Sequence, residues 1–156
     1  MRVVLQRVSR ASVEVEGTIV GRIALGWLAL IGVAKGDTGD EVDKLAEKVV
    51  RLRAFSDDQG KMNLGLAEVG GALLAVSQFT LLADCQGGRR PSFTEAGDPA
   101  EAERLYLRFA DRARALGVEV ATGVFGADMK VELVNDGPVT FLLDSRKAFW
   151  SLLQER

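Results

Sequence analysis

Apolar and polar residues first alternate along this chain at Val13 and Val15, which stand between Glu14 and Glu16 before a turn at Gly17 and resumption at Ile19. A period of two sends successive side chains to opposite faces, so this stretch predicts a hairpin with one wet face. From Trp27 to Val33 the polar positions vanish. A strand buried on both faces needs none, and this run is expected at the centre of a sheet. The period then changes: Val42, Leu45, Val49 and Leu52 recur at helical spacing among Lys44, Glu47, Lys48 and Arg51. That stripe predicts an amphipathic helix reaching about Phe55. "TGDE", Thr38 to Glu41, supplies the hydroxyl and the later carboxylate of a capping box at its start, and "DDQG" closes the segment in a turn.

From Ala72 to Leu82 the sequence "ALLAVSQFTLL" is apolar except for Ser77, Gln78 and Thr80, and reads as a strand. Strand alternation would send Ser77 and Phe79 to one face and Gln78 and Thr80 to the other. Read from the residues alone, this is equally a strand entering a site and a strand whose polar groups are satisfied internally. "DPAE" predicts a second helix, with Asp98 as N-cap, Pro99 in the first turn and Glu101 completing the box. Ala102, Leu105, Phe109 and Leu116 form its stripe, and Gly117 is its expected stop. The remainder to Asp144 is strand-like, with Met129, Val131 and Leu133 alternating against Lys130 and Glu132. Strands, helix, strand, helix and strands again predict a mixed sheet in an α/β domain.

Composition narrows the chemistry. The 156 residues suit one hydrophobic core, hence a single domain over 1–156. Apolar residues make up 47% and charged residues 27%, with a mean hydropathy of +0.09, the balance of a soluble globular protein. The longest apolar run, Ile23 to Ala34, is too short to cross a bilayer and lacks the pattern of a signal peptide. With one cysteine, Cys85, no intramolecular disulfide can form, and a cytoplasmic location is expected.

There is no histidine. A Ser-His-Asp triad, a Cys-His pair and a HExxH metal helix are therefore excluded, leaving hydroxyls, carboxylates, lysine, backbone dipoles or the substrate itself to do any chemistry. The net charge of −2 and an isoelectric point near 5.3 do not describe a basic nucleic-acid binder. Arg51, Arg53, Lys61, Arg89, Arg90 and Lys130 remain as local phosphate-binding candidates beside the simpler reading of solvated surface charge.

"GKMNLGLAEVGG" is glycine-rich but lacks the order of a phosphate loop, and a connecting loop is the better reading. Asp84 and Asp144 could act as an acid and base pair, or hold a metal together with Asp57 and Asp58, but no known metal spacing is present. Cys85 as a nucleophile would need basic neighbours, of which Arg89 is the nearest in sequence. "NDGPVT", Asn135 to Thr140, reads from its residues as a turn, since proline gives no N–H to a ladder.

Taken together, "SQFTLLAD" and "NDGPVT" resemble the D-aminoacyl-tRNA deacylase family. So do "VLQRVSRASVEV", "GDTGDEVDKLAEKVVRLRAF", "GKMNL", "GGALLAVSQFTL", "RRPSF" and "TGVFGADMKVELVNDGPVT", so that the likeness runs along essentially the whole chain. The resemblance implies a three-layer β/β/α arrangement with a mixed, barrel-like sheet and two main helices. It implies a homodimer that hydrolyses the ester joining a D-amino acid to the 3′-terminal adenosine of tRNA, with no cofactor, no metal, and no DNA or membrane partner. Ser77, Gln78, Phe79 and Thr80 would line the catalytic pocket, with Phe125 and Met129 as walls. Gly137 and Pro138 would form a cis peptide entering the other subunit's pocket, where their carbonyls read chirality, and Arg7 would hold that loop.

The implied hydrolysis is RNA-assisted, through the vicinal ribose hydroxyl and backbone N–H donors near Phe79 and Thr80. Thr80 as a direct nucleophile is the rival route. A filter that excludes L side chains cannot exclude glycine, so glycyl-tRNA is an expected substrate. The different-class alternatives are a non-catalytic dimeric nucleotide- or RNA-binding module and a metal-dependent hydrolase built on Asp84 and Asp144.

Overall fold

In this computed structural model the described residues are 1–147. In chain order the elements are β1 (Arg2–Val15), β2 (Thr18–Ile23), β3 (Gly26–Gly32), α1 (Gly39–Arg51), β4 (Phe55–Ser56), β5 (Met62–Leu64), β6 (Ala72–Ser77), α2 (Pro99–Ala115), β7 (Glu119–Thr122) and β8 (Lys130–Asp144). The long strand β1 is the spine. Along one edge it pairs antiparallel with β3 through Arg2–Val8 and with β2 through Ala11–Val15; along the other it pairs antiparallel with β8. β3 continues in parallel to β6, and β6 in parallel to β7.

The sheet then curls until β2 meets β7. A Cβ on Gly21 would stand 2.5 Å from the carbonyl oxygen of Thr122, an approach only glycine permits. The result is a mixed, nearly closed barrel with two helices packed outside it.

Alternation along the strands divides the core in two. Trp27, Ala29 and Ile31 of β3, with Leu73 and Ala75 of β6, pack toward Val42, Leu45, Val49, Leu105, Tyr106 and Phe109 of the helices. Leu28, Leu74 and Val76 point the other way, into the barrel with Val8, Ala11, Val13 and Ile23. β1 supplies Val3 and Leu5 to the first core, then Ala11 and Val13 to the second. That change of parity needs an extra residue, and the register slips between Val8 and Arg10, opposite Asn135 and Val134.

The hairpin turns at Glu16 and Gly17, and β3 is buried at its centre as the pattern predicts. The capping box of α1 is complete: Glu41 N–H donates to Thr38 Oγ1 at 3.3 Å, and Thr38 N–H donates to Glu41 Oε2 at 2.9 Å. Gly117 follows α2 with a φ of 88°, the left-handed stop expected of it.

Three boundaries differ from the sequence reading. α1 ends at Arg51, because Leu52 turns extended and Phe55 is drawn into β4, where its ring meets Trp27 at 5.0 Å. Asp98 makes no side-chain cap, and Glu101 pairs with Arg104 instead of closing a box. β6 stops at Ser77 rather than Leu82. Beyond it Phe79–Leu82 form a single 3₁₀ turn that folds over Gly32, tucking Leu82 into the interior where any Cβ on that glycine would lie 2.6 Å from Leu82 Cδ2.

Candidate active site

The end of β6 is held by Gln78, whose N–H donates to the Ile31 carbonyl at 2.7 Å. The chain then leaves the sheet, so strand alternation no longer sorts the side chains of the SQFT segment. Ser77, Gln78 and Phe79 face one cleft of about 470 Å³ together with Val76. Its second wall is the approach to α2, with Ala96, Gly97, Pro99 and Ala102; its third is the segment between β7 and β8, with Phe125, Gly126, Ala127, Met129 and the β8 residue Val131. Five of the sequence candidates, Ser77, Gln78, Phe79, Phe125 and Met129, thus meet in one place. Among the described residues no charged side chain lines the cleft.

Thr80 is exposed and does not line it, but Gln78 Nε2 donates to Thr80 Oγ1, which ties the two side chains together. The first N–H groups of the turn, at Phe79 and Thr80, have no backbone acceptor among the described residues, whereas Leu81 and Ala83 donate to Gln78 and Thr80. They are the orphan donors that any helical turn leaves at its start. Phe79 is 58% exposed and its ring meets that of Phe93, which is 39% exposed, at 5.0 Å between centres and a tilt of 57°.

Beneath the third wall lies Tyr106, packed 6.1 Å from Phe125 between ring centres. Its hydroxyl donates to the Ala75 carbonyl at 2.7 Å, and burial pushes its pKa up to about 12. The same carbonyl accepts the Gly123 N–H at 3.2 Å, fixing the segment that leads to Phe125. A Cβ on Gly123 would stand 2.6 Å from Met129 Sδ, so a larger residue there would push the Met129 side chain aside.

The remaining candidates form a second group, outside this cleft. Between Asn135, opposite Val8, and Thr140, opposite Gln6, four residues of β8 bulge out against the single residue Arg7. The Gly137–Pro138 peptide in that bulge is cis, and both residues are exposed. Arg7 braces it: Nε donates to the Asp136 carbonyl at 3.0 Å and Nη1 to the Ala54 carbonyl at 2.9 Å. Asn135 Nδ2 donates from the other side to the carbonyls of Arg7 and Val139, at 2.9 and 3.0 Å. A guanidinium and an amide therefore satisfy the backbone groups that the bulge removes from the ladder.

The carboxylates are not gathered into a site. Asp144 pairs with Arg2 at 3.0 Å, while Asp84 Oδ1 accepts the Gln86 N–H. Asp57 accepts N–H groups from Gln59 and Lys61, which hold its pKa low, the Lys61 bond being the larger cause. Among the described residues no group of three or more Cys, Asp or Glu is arranged to hold a metal ion, and no helix is long and apolar enough to cross a membrane.

Sequence reasoning missed the wall formed by Ala96, Gly97, Pro99 and Ala102. These residues were legible only as a loop and a helix start, and small apolar side chains carry no chemical signal until another element faces them.

Comparison with known proteins agrees with this architecture. Residues 4–144 match the family model described as D-Tyr-tRNA(Tyr) deacylase. The D-aminoacyl-tRNA deacylase of Geobacter sulfurreducens is 59% identical over 94% of this chain and 96% of its own length. That of Thermosipho africanus is 54% identical over 96% and 100%. Among solved structures, the c-Myc DNA unwinding element binding protein is 36% identical with a TM-score of 0.86, covering 92% of this chain and 98% of that one. A probable eukaryotic D-amino acid tRNA deacylase shares the fold at 19% identity and a TM-score of 0.77, over the same shares of the two chains. With a family match over almost its whole length and curated relatives above 50% identity, the chain belongs to the D-Tyr-tRNA(Tyr) deacylase family.

Proposed function

We propose that this protein hydrolyses the ester of D-aminoacyl-tRNA, and that the cleft beside Ser77, Gln78 and Phe79 receives the 3′-terminal adenosine with its aminoacyl group. The observation that carries the reading is the chemistry of this cleft in a chain of this family. Its lining is mostly apolar and, among the described residues, uncharged; it includes Phe79, whose N–H, like that of the adjoining Thr80, has no backbone acceptor among those residues. Such walls suit a base and a ribose, and N–H groups of this kind can receive the oxyanion that develops as water attacks the ester, each contributing on the order of 3 kcal/mol. Among the described residues the cleft offers no base to activate a protein nucleophile. Orientation of the ester beside the vicinal ribose hydroxyl supplies the rest, so the catalysis is RNA-assisted.

Selection against L-aminoacyl groups is assigned to Gly137 and Pro138. Their segment is exposed and does not line the cleft of its own chain, so a second copy of the protein is the natural recipient. The outer edge of β8 supports such pairing: it has no strand partner among the described residues, and Val134 and Leu142 stand exposed along it. Long free edges of this kind call for cover. In the dimer the main-chain carbonyls of the inserted segment accept from the amino group of a D-aminoacyl ester and crowd the side chain of an L one. Glycine has no side chain to crowd, so glycyl-tRNA is also cleaved.

The test is hydrolysis of D-tyrosyl-tRNA, L-tyrosyl-tRNA and glycyl-tRNA, with and without EDTA, against the uncatalysed esters. Fast loss of the D and glycyl esters, indifferent to EDTA, is expected. Equal resistance of all three esters, or abolition by EDTA, overturns the reading.

A further inference from the structure

The cleft accounts for a nucleoside and an acyl group but leaves a charge unanswered. A terminal adenosine in RNA is joined through its 5′ phosphate to the preceding nucleotides, and among the described residues no cation lines the cleft to meet that phosphate. The net charge of −2 makes the omission sharper.

The chain that leaves the cleft supplies what is missing. After the 3₁₀ turn it makes a loop pinched at its base by paired backbone hydrogen bonds, Asp84 N–H to the Ser92 carbonyl at 2.7 Å and Ser92 N–H to the Asp84 carbonyl at 2.9 Å. Between them runs "CQGGRRP", with two arginines and no carboxylate. The one carboxylate at the base, Asp84, is occupied by Gln86 N–H at 2.9 Å. Arg89 and Arg90 are exposed and have no ion-pair or hydrogen-bond partner among the described residues. Most other arginines of the molecule are engaged, those of α2 among them.

The residue that follows the loop, Phe93, lies against Phe79, and Phe79 is itself a wall of the cleft. Arg90 therefore stands within three residues of an exposed aromatic pair at the cleft's rim, a reach of about 10 Å at most. An aromatic face open to solvent beside unpaired guanidinium groups is the combination that holds single-stranded nucleic acid: bases stack on the ring, and the backbone is tracked by the charge.

We propose that Phe93 with Arg89 and Arg90 forms a binding site for the single-stranded 3′ end of RNA, taking the nucleotide that precedes the terminal adenosine on the ring and its phosphodiesters on the two arginines. The site rests on the reading of the cleft as the aminoacyl-adenosine pocket. It makes the loop Asp84–Ser92 a positioning arm, since its residues grip the polymer and leave the reacting ester to the cleft.

The experiment compares the parent protein with the double variant Arg89→Ala/Arg90→Ala on two D-tyrosyl esters, the full tRNA and adenosine alone, and measures Kd for uncharged tRNA across a salt series. The variant is expected to raise KM for the tRNA ester roughly tenfold with little change in kcat. Its salt slope should be shallower by about 1.4, the value for two contacts to a single strand. The adenosine ester should be affected far less, and Arg89→Lys/Arg90→Lys should restore most of the tRNA affinity. Unchanged Kd and salt slope, or equal losses on both esters, overturns the arm. If the parent binds tRNA through these arginines but cleaves neither ester, the arm stands and the catalytic reading falls.

Discussion

Arg7 donates its Nε to the carbonyl of Asp136, 3.0 Å away, and so fastens the Gly137 and Pro138 bulge of β8 to the neighbouring strand β1. The same side chain reaches Ala54 with Nη1, so one guanidinium spans the sheet, the bulge and the segment after α1. Lysine keeps the charge but cannot make both bonds in this fork geometry.

Arg7→Lys is expected to lower kcat/KM on D-tyrosyl-tRNA by about 10- to 100-fold, the equivalent of one hydrogen bond from a charged donor. The rate should fall without a matching fall in affinity for uncharged tRNA. A variant as active as the parent would detach the brace from the chemistry.

Thr80 separates the two catalytic routes. Its hydroxyl lies outside the cleft lining and accepts from Gln78 Nε2. Thr80→Ala should retain activity within about tenfold, since general acid–base and electrostatic contributions come from elsewhere. Near-complete loss, with an acyl-enzyme trapped in the parent by rapid quench, would instead make Thr80 the nucleophile.

Tyr106 gives the fold a sensitivity to alkali. Burial raises its pKa from 10.0 to about 12, so the unfolded state releases its proton first as pH rises. The stability contributed by the neutral hydroxyl is complete below pH 10 and is lost as pH climbs through about 12. Tyr106→Phe should cost about 1 kcal/mol at neutral pH, because Ala75 keeps its bond from Gly123. The difference in unfolding free energy between parent and variant should shrink and then reverse sign through that alkaline window, since a shift of this size outweighs the neutral-pH cost; a constant difference would contradict the assignment.

On the acid side, Asp43 of α1 meets Arg108 of α2 at 2.8 Å, and the Arg108 hydrogen bond holds the Asp43 carboxyl below its ordinary value of 3.8. A depressed pKa stabilises above the unfolded value and ceases to do so as pH falls through the folded one. Because the pair is partly exposed, Asp43→Asn should cost about 1 kcal/mol or less at neutral pH. Thermal melts of the two proteins should converge below pH 3.8. Persistence of the gap in acid would mean that the carboxylate's charge is not what stabilises the pairing of the helices.

Periodicity carried much of this fold: the Glu14 and Glu16 alternation gave the hairpin, the unbroken run at Trp27 the central strand, and the Val42 stripe the first helix. It failed where long-range packing overrides local pattern. Nothing near Phe79 reveals that Gly32, far back in the chain, leaves room for a turn. Nor does "NDGPVT" reveal that its bulge is opposed by a single residue, Arg7, more than a hundred positions away. The SQFT and Gly-Pro segments were legible through family resemblance, whereas the wall from Ala96 to Ala102 became visible only once β6 and the segment after β7 had been brought against it.

The central claim, a site completed by a second copy of the chain, is tested most directly by complementation. Gly137→Ala places a Cβ 2.8 Å from the Val139 nitrogen and so displaces the bulge, while Ala127→Trp fills the cleft. Each variant alone should be inactive on D-tyrosyl-tRNA. After denaturation and refolding as a mixture, one intact cleft and one intact bulge meet in each mixed dimer, and about a quarter of parental activity should return by random pairing, since half the dimers then carry one complete site of two. A mixture as inactive as its components would contradict a shared site and place the bulge and the cleft in separate work.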